Sequence, residues 1–223
     1  MKAILLKSMI GIILFSIITG CSNQKAEKKS NSQKDISTSL DLKEGTYEYV
    51  ILDDSLKENL IKKGAKIAKL TASSLQKALK NAIKEDGLEY AIEICNIDAL
   101  NITDSISESE SVKIKRLAKK YRNTVNETDS TESELFKSYI LEWLGGRQLN
   151  PKIIPNDNGH PVYYNPIYVG KLCLNCHGET GKNIDSNLAK FINELYPDDK
   201  ATNFKQGQLR GMWSITFTEY KVK

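Results

Sequence analysis

Residues 173–177 read Cys-Leu-Asn-Cys-His. Two thiols separated by two residues, with a histidine directly after the second, have the spacing for covalent attachment of a c-type haem. On one tight turn, Cys173 and Cys176 can add across the two vinyl groups of a single porphyrin. His177 is then held beneath the iron as its proximal ligand. The chain has only four cysteines and two histidines, so its composition seldom produces this run. Zinc is the rival, because Cys95, Cys173, Cys176 and His177 make up a Cys₃His set. Cys176 and His177 are adjacent, which makes a tetrahedron awkward to close. One covalent haem c is therefore the expected cofactor.

The N-terminus points to export. Lys2 and Lys7 precede Ser8–Gly20, an uncharged, largely apolar run of thirteen residues that ends in Ile-Thr-Gly before Cys21. The run is short for a membrane span and suits the core of a signal peptide. It resembles a bacterial lipoprotein signal, in which Cys21 is acylated and becomes the mature N-terminus. Haem attachment to such a motif takes place outside the cytoplasm, so the two readings support each other. A membrane-anchored, extracytoplasmic lipoprotein is expected, at the periplasm or the outer-membrane side.

With Cys21 committed to lipid and two thiols to haem, Cys95 is an odd thiol in an exported chain. It is either a buried thiol packed as a small hydrophobe or the second iron ligand, the alternatives being His160, Met212 or none. Arg116 and Arg122 are candidates for the haem propionates, since guanidinium forks suit carboxylates. A structural salt bridge is the plainer use of either. Tyr163, Tyr164 and Trp213 read as core.

The organisation expected is a signal peptide over 1–20, a flexible tether over 21–45 and a folded domain over 46–223. The tether is rich in lysine and serine and cannot bury enough surface to order itself. As a coil it spans roughly 25–30 Å. Removing the signal leaves 203 residues and takes the net charge from +4 to +2. With its lysines dispersed, so balanced a chain gives no case for nucleic-acid binding.

Apolar residues from Leu56 to Ile83 recur at helical spacing, predicting an amphipathic helix over 55–85, capped by Asp54 or Ser55 and broken at Gly87. Leu88, Ala91, Ile92, Cys95, Ala99 and Ile102 share one face of a second helix, which points the Cys95 thiol toward the core. Val112 and Ile114 alternate with lysines as in a strand, and residues 122–126 suit a turn. A helix is expected over 131–144, ended by Gly145-Gly146. Strands are expected around 153–154 and 162–164, joined by the Asn-Asp-Asn-Gly turn at 156–159. His160 should lie in that polar turn, facing solvent. A helix over 187–195 and a strand over 212–217 complete an α+β pattern, with long N-terminal helices before a sheet.

Several stretches carry a family resemblance: AIEICN at 91–96, RLAKKYRNTVN at 116–126, PVYYNPI at 161–167, CLNCHG at 173–178 and GQLRGMWSI at 207–215. In this order, over roughly residues 56–217, the chain resembles the PAS-like single c-haem domains formerly grouped as a domain of unknown function. These occur alone in exported proteins and as modules of bacterial signalling proteins. The resemblance implies a PAS-like antiparallel sheet behind a helical arm. It also implies an unusual iron ligation, with His177 proximal and Cys95 distal. One departure is Thr124, which stands where a proline often follows the arginine–asparagine pair and bears on loop stiffness.

The function these readings imply is that of a membrane-tethered single-haem protein in redox or electron transfer, working with an unknown redox or signalling partner protein. The alternative is a haem-based redox or gas sensor that signals through a separate partner. Apart from the iron, no residues resemble a catalytic constellation.

Overall fold

The computed structural model describes residues 47–223. The expected signal peptide, the lipidation expected at Cys21 and the expected tether fall on residues outside those described. Among the described residues, no helix is long and apolar enough to cross a membrane.

Strand β1 (Glu48–Val50) leads into α1 (Asp54–Ser109), whose first free N–H groups are capped one residue before the expected position. The Asp53 carboxylate accepts from Leu56 N at 2.8 Å, a standard N-cap bond. Asp86 and Gly87 leave helical geometry, and Gly87 at φ +82° kinks α1 between the two predicted helices. A positive φ costs glycine little, which is why the break falls there. The second segment carries the predicted stripe and runs on to Ser109.

Strands β2 (Lys113–Leu117), β3 (Lys152–Pro155), β4 (Pro161–Tyr168) and β5 (Leu209–Thr216) form an antiparallel sheet in the order β2-β5-β4-β3. The fold is therefore α+β, with the long helix first and the antiparallel sheet after it. The sheet is buried on both faces. On one, Leu60, Ile67 and Ala68 of α1 meet Ile114, Tyr163, Trp213 and Ile215. On the other, Phe136 and Tyr139 of α2 (Ser130–Leu144) meet Leu117, Val162, Tyr164 and Met212. Strand parity divides the two sets: Tyr163 and Val162 are neighbours in sequence and face opposite ways.

Gly64 lies where α1 packs on the sheet. A Cβ there would clash with the Cβ, Cγ and Cδ2 atoms of Tyr163, so its missing side chain sets how closely α1 lies on the sheet. Strand β6 (Tyr220–Val222) pairs in parallel with β1; neither was expected, since three residues are too few to display a period. His160 is half-buried rather than solvent-facing. Its Nδ1 lies 2.7 Å from Tyr220 O and so donates to that carbonyl, holding β6 to the hairpin.

Candidate functional site

The 173–177 motif folds as a single helical turn. Cys173 lies just before α3 (Leu174–His177), and His177 N donates to Cys173 O at 2.9 Å. Both thiols are unpaired and diverge into different surroundings. Cys173 packs beside Val169, Ala201 and Phe204. Cys176 packs beside Ile184 and Leu188, near the start of α4 (Ser186–Leu195). Burial pushes the Cys176 thiol up to about 11, against a smaller pull from Arg122.

His177 Nδ1 lies 2.7 Å from Ala201 O. A carbonyl only accepts, so Nδ1 carries the proton and Nε2 presents its lone pair. Burial, then Arg210 and Arg122, hold the imidazole pKa well below its usual value, outweighing the Ala201 bond. The ring is therefore neutral, the form that ligates a metal.

Three guanidinium groups, those of Arg210, Arg122 and Arg116, lie close enough to act electrostatically on this histidine. Arg116 lies on β2, with the parity of Ile114, toward α1. Arg122 follows β2, just before a 3₁₀ turn at Thr124–Asn126. Its Nη2 donates to Cys176 O at 2.6 Å and to Asp199 Oδ2 at 3.1 Å. The Arg122 and Asp199 side chains are only 12% and 7% exposed, so this is a buried pair of the kind whose breaking costs about 3–5 kcal/mol. Arg122 Nε is buried without a hydrogen-bond partner.

Arg210 is the member that the sequence did not reveal. Strand alternation would put it on the same face as Met212, toward α2. However, the β4–β5 register slips where Ile167 pairs Gly211 and Tyr168 pairs Leu209, leaving Arg210 between them. Such a bulge re-aims a side chain. Arg210 donates to Lys120 O at 2.7 Å and lies over the Phe204 ring at 5.3 Å. Burial, then Arg122, lowers its pKa to about 10. A signal was present in the composition: four arginines stand among 32 basic residues, and three of the four meet here.

Cys95 departs from its predicted environment. Of its neighbours on the stripe, Ala91, Ile92 and Ala99 are buried and Leu88 and Ile102 half-buried, while Cys95 itself is exposed. The stripe is continuous, but the protein packed against it is not. Ile92 meets the α4 cluster, and Leu100 and Thr103 border a separate cavity with Ile114, Arg116 and Val125. Cys95 falls between these two contacts. The surrounding protein still raises its thiol pKa by desolvation, with Arg116 and then Arg122 drawing it down. Cys95 thus shares the electrostatic neighbourhood of Cys176, Tyr196 and the arginines. The rival distal ligands are engaged elsewhere: Met212 is fully buried against α2 and His160 holds β6.

Among the described residues, no three His, Cys, Asp or Glu side chains gather as a protein-only metal site requires. That disfavours the Cys₃His arrangement. Two free thiols one turn apart, a neutral imidazole presenting Nε2, and three arginines with an orphan buried N–H suit a covalently bound, dianionic porphyrin.

Residues 54–218 match the sequence profile of the Tll0287-like family. The chain belongs to that family. It is similar in fold to the crystal structure of the cyanobacterial haem protein Tll0287, with a TM-score of 0.54 and 20% identity over 71% of this chain and 94% of that one. No curated protein matched the chain. The family match contains all three arginines, Cys95 and the whole haem-type motif, so the site lies within the region that defines membership.

Proposed function

We propose that this member of the Tll0287-like family is a single c-type haem protein, tethered outside the cytoplasm through acylated Cys21 and acting in redox or electron transfer. The observation that carries this reading is the Cys173–His177 turn, with two unpaired thiols and His177 Nδ1 already committed to Ala201 O. Its likeness in fold to Tll0287, a haem protein, supports the reading. Cys173 and Cys176 would hold the porphyrin through thioether bonds, His177 would ligate its iron through Nε2, and Cys95 would be the candidate second ligand. The haem would supply one-electron chemistry.

The chain's own residues would tune that chemistry. Arg116, Arg122 and Arg210 would offer positive charge to the porphyrin carboxylates, and burial, with Arg210 and Arg122, keeps His177 neutral. A Cys95 thiolate would favour the oxidised metal, and its protonation would weaken ligation after reduction. The exposure of Cys95 is the one observation that favours the second reading, a redox or gas sensor, because a ligand at an open position can leave.

The test is expression with a haem-maturation system, followed by denaturing electrophoresis with haem staining, intact mass and visible spectra of both oxidation states. One haem per chain is expected, and it should be lost in Cys173→Ala/Cys176→Ala. A colourless wild type from a competent host would overturn the proposal. Cys21→Ser should release the protein from the membrane fraction, and persistent membrane binding would remove the lipid anchor from it.

A further inference from the structure

Asp199 lies in a loop of charged residues, Pro-Asp-Asp-Lys at 197–200, and no motif marks it. Both its oxygens are used. Oδ2 takes Arg122 Nη2 at 3.1 Å, and Oδ1 takes Ala201 N at 2.7 Å. Ala201 O accepts the His177 Nδ1 proton, and Arg122 Nη2 also donates to Cys176 O. Cys176 is bonded to His177, so the contacts close a ring: His177, Ala201, Asp199, Arg122, Cys176 and back to His177. The ring joins the two segments that decide where the imidazole points, the attachment turn and the loop that carries its acceptor.

We propose that Asp199 is a positioning residue for His177, acting with Arg122 to hold the Ala201 carbonyl where it fixes the imidazole's tautomer and orientation. This rests on the haem-protein reading above. The loop has other anchors: Lys200 N donates to Tyr121 O, Asn203 N to Gly178 O and Phe204 N to His177 O. These hold backbone to backbone on either side of Ala201. Asp199 alone links Ala201 to the guanidinium that grips the turn. Arg122 is thereby engaged in positioning, and Arg116 and Arg210 are the freer partners for a bound carboxylate. The outer partner of a metal-binding histidine sets its ring orientation and basicity, so the ring should be legible in the electronic structure of the haem.

The test uses the full haem-loaded chain with Asp199→Asn, Arg122→Lys and the double variant. Asparagine keeps an acceptor for Ala201 N but loses the charge that holds Arg122; lysine keeps the charge but loses the fork. Two readouts are taken: the ferric g-values, which report axial-ligand orientation, and hydrogen exchange at the Ala201 amide. Each single variant should shift the g-values in the same direction and speed Ala201 exchange about tenfold or more, with exchange in α2 unchanged. The double variant should move neither readout beyond the larger single effect, because both substitutions open one ring. Wild-type g-values and Ala201 exchange in either haem-loaded single variant, or additive effects in the double, would overturn the proposal. A wild type without covalent haem would instead overturn the haem reading, and Ala201 exchange would still report whether the ring forms.

Discussion

Three of the chain's four arginines surround one histidine, while lysine fills nearly every other basic position. Guanidinium keeps its charge when buried, where an ammonium neutralises readily. Arg210 therefore remains a cation at neutral pH even with its pKa lowered to about 10. If a haem iron sits at His177 as proposed, opposite charges beside it should have opposite effects on its reduction. Arg210→Gln removes a positive charge and should lower the reduction potential. On the proposed ligation, Cys95→Ala would remove a strong anionic donor and should raise it, leaving an open or water-ligated ferric iron. A redox titration with ferric spectra reads both variants. An unchanged spectrum and potential in Cys95→Ala would return Cys95 to a purely structural part.

At the scale of elements, two substitutions with contrasting logic test the packing. Gly64→Ala gains helix propensity worth about 1 kcal/mol. The added Cβ would run into the Tyr163 ring, and overpacking of this kind costs about 1–3 kcal/mol. We expect a net loss of stability in urea unfolding; a more stable variant would show that α1 can lift off the sheet freely. At the start of α2, Asp129 and Glu132 form a reciprocal capping box. Asp129→Ala should cost about 1 kcal/mol without altering the haem spectrum, because α2 packs on the sheet face away from α1.

For the whole molecule, buried tyrosines set the alkaline limit of stability. Burial pushes Tyr163, Tyr164 and Tyr196 up to about 12 and Tyr139 further. Unfolded tyrosine ionises near 10. Above that pH the unfolded chain releases protons that the folded chain retains, so stability falls as pH rises from about 10 to 12 and is undiminished below. Tyrosinate absorbance should therefore rise together with loss of near-ultraviolet circular dichroism. Ionisation of all the tyrosines near pH 10 with the fold intact would contradict the burial described.

Local features were legible because their causes are local. The haem-type motif, the helical periods of α1, the Gly145 stop, the Asn-Asp-Asn-Gly hairpin and the α+β order each follow from spacing within a few residues. The resemblance carried by short motifs pointed to a family of haem proteins, which the profile match over residues 54–218 and the likeness in fold to a haem protein support. The exposure of Cys95, the aim of Arg210, the ring through Asp199 and the function of Gly64 were decided only by tertiary structure. Each depends on what arrives from a distant part of the chain: a gap between two packed clusters, a slipped register against β4, a loop folded back onto the attachment turn, an aromatic ring 99 residues away. Sequence specifies which side chains an element presents and on which face. Whether protein, solvent or a neighbouring charge meets that face is settled by packing, and periodicity carries no record of it.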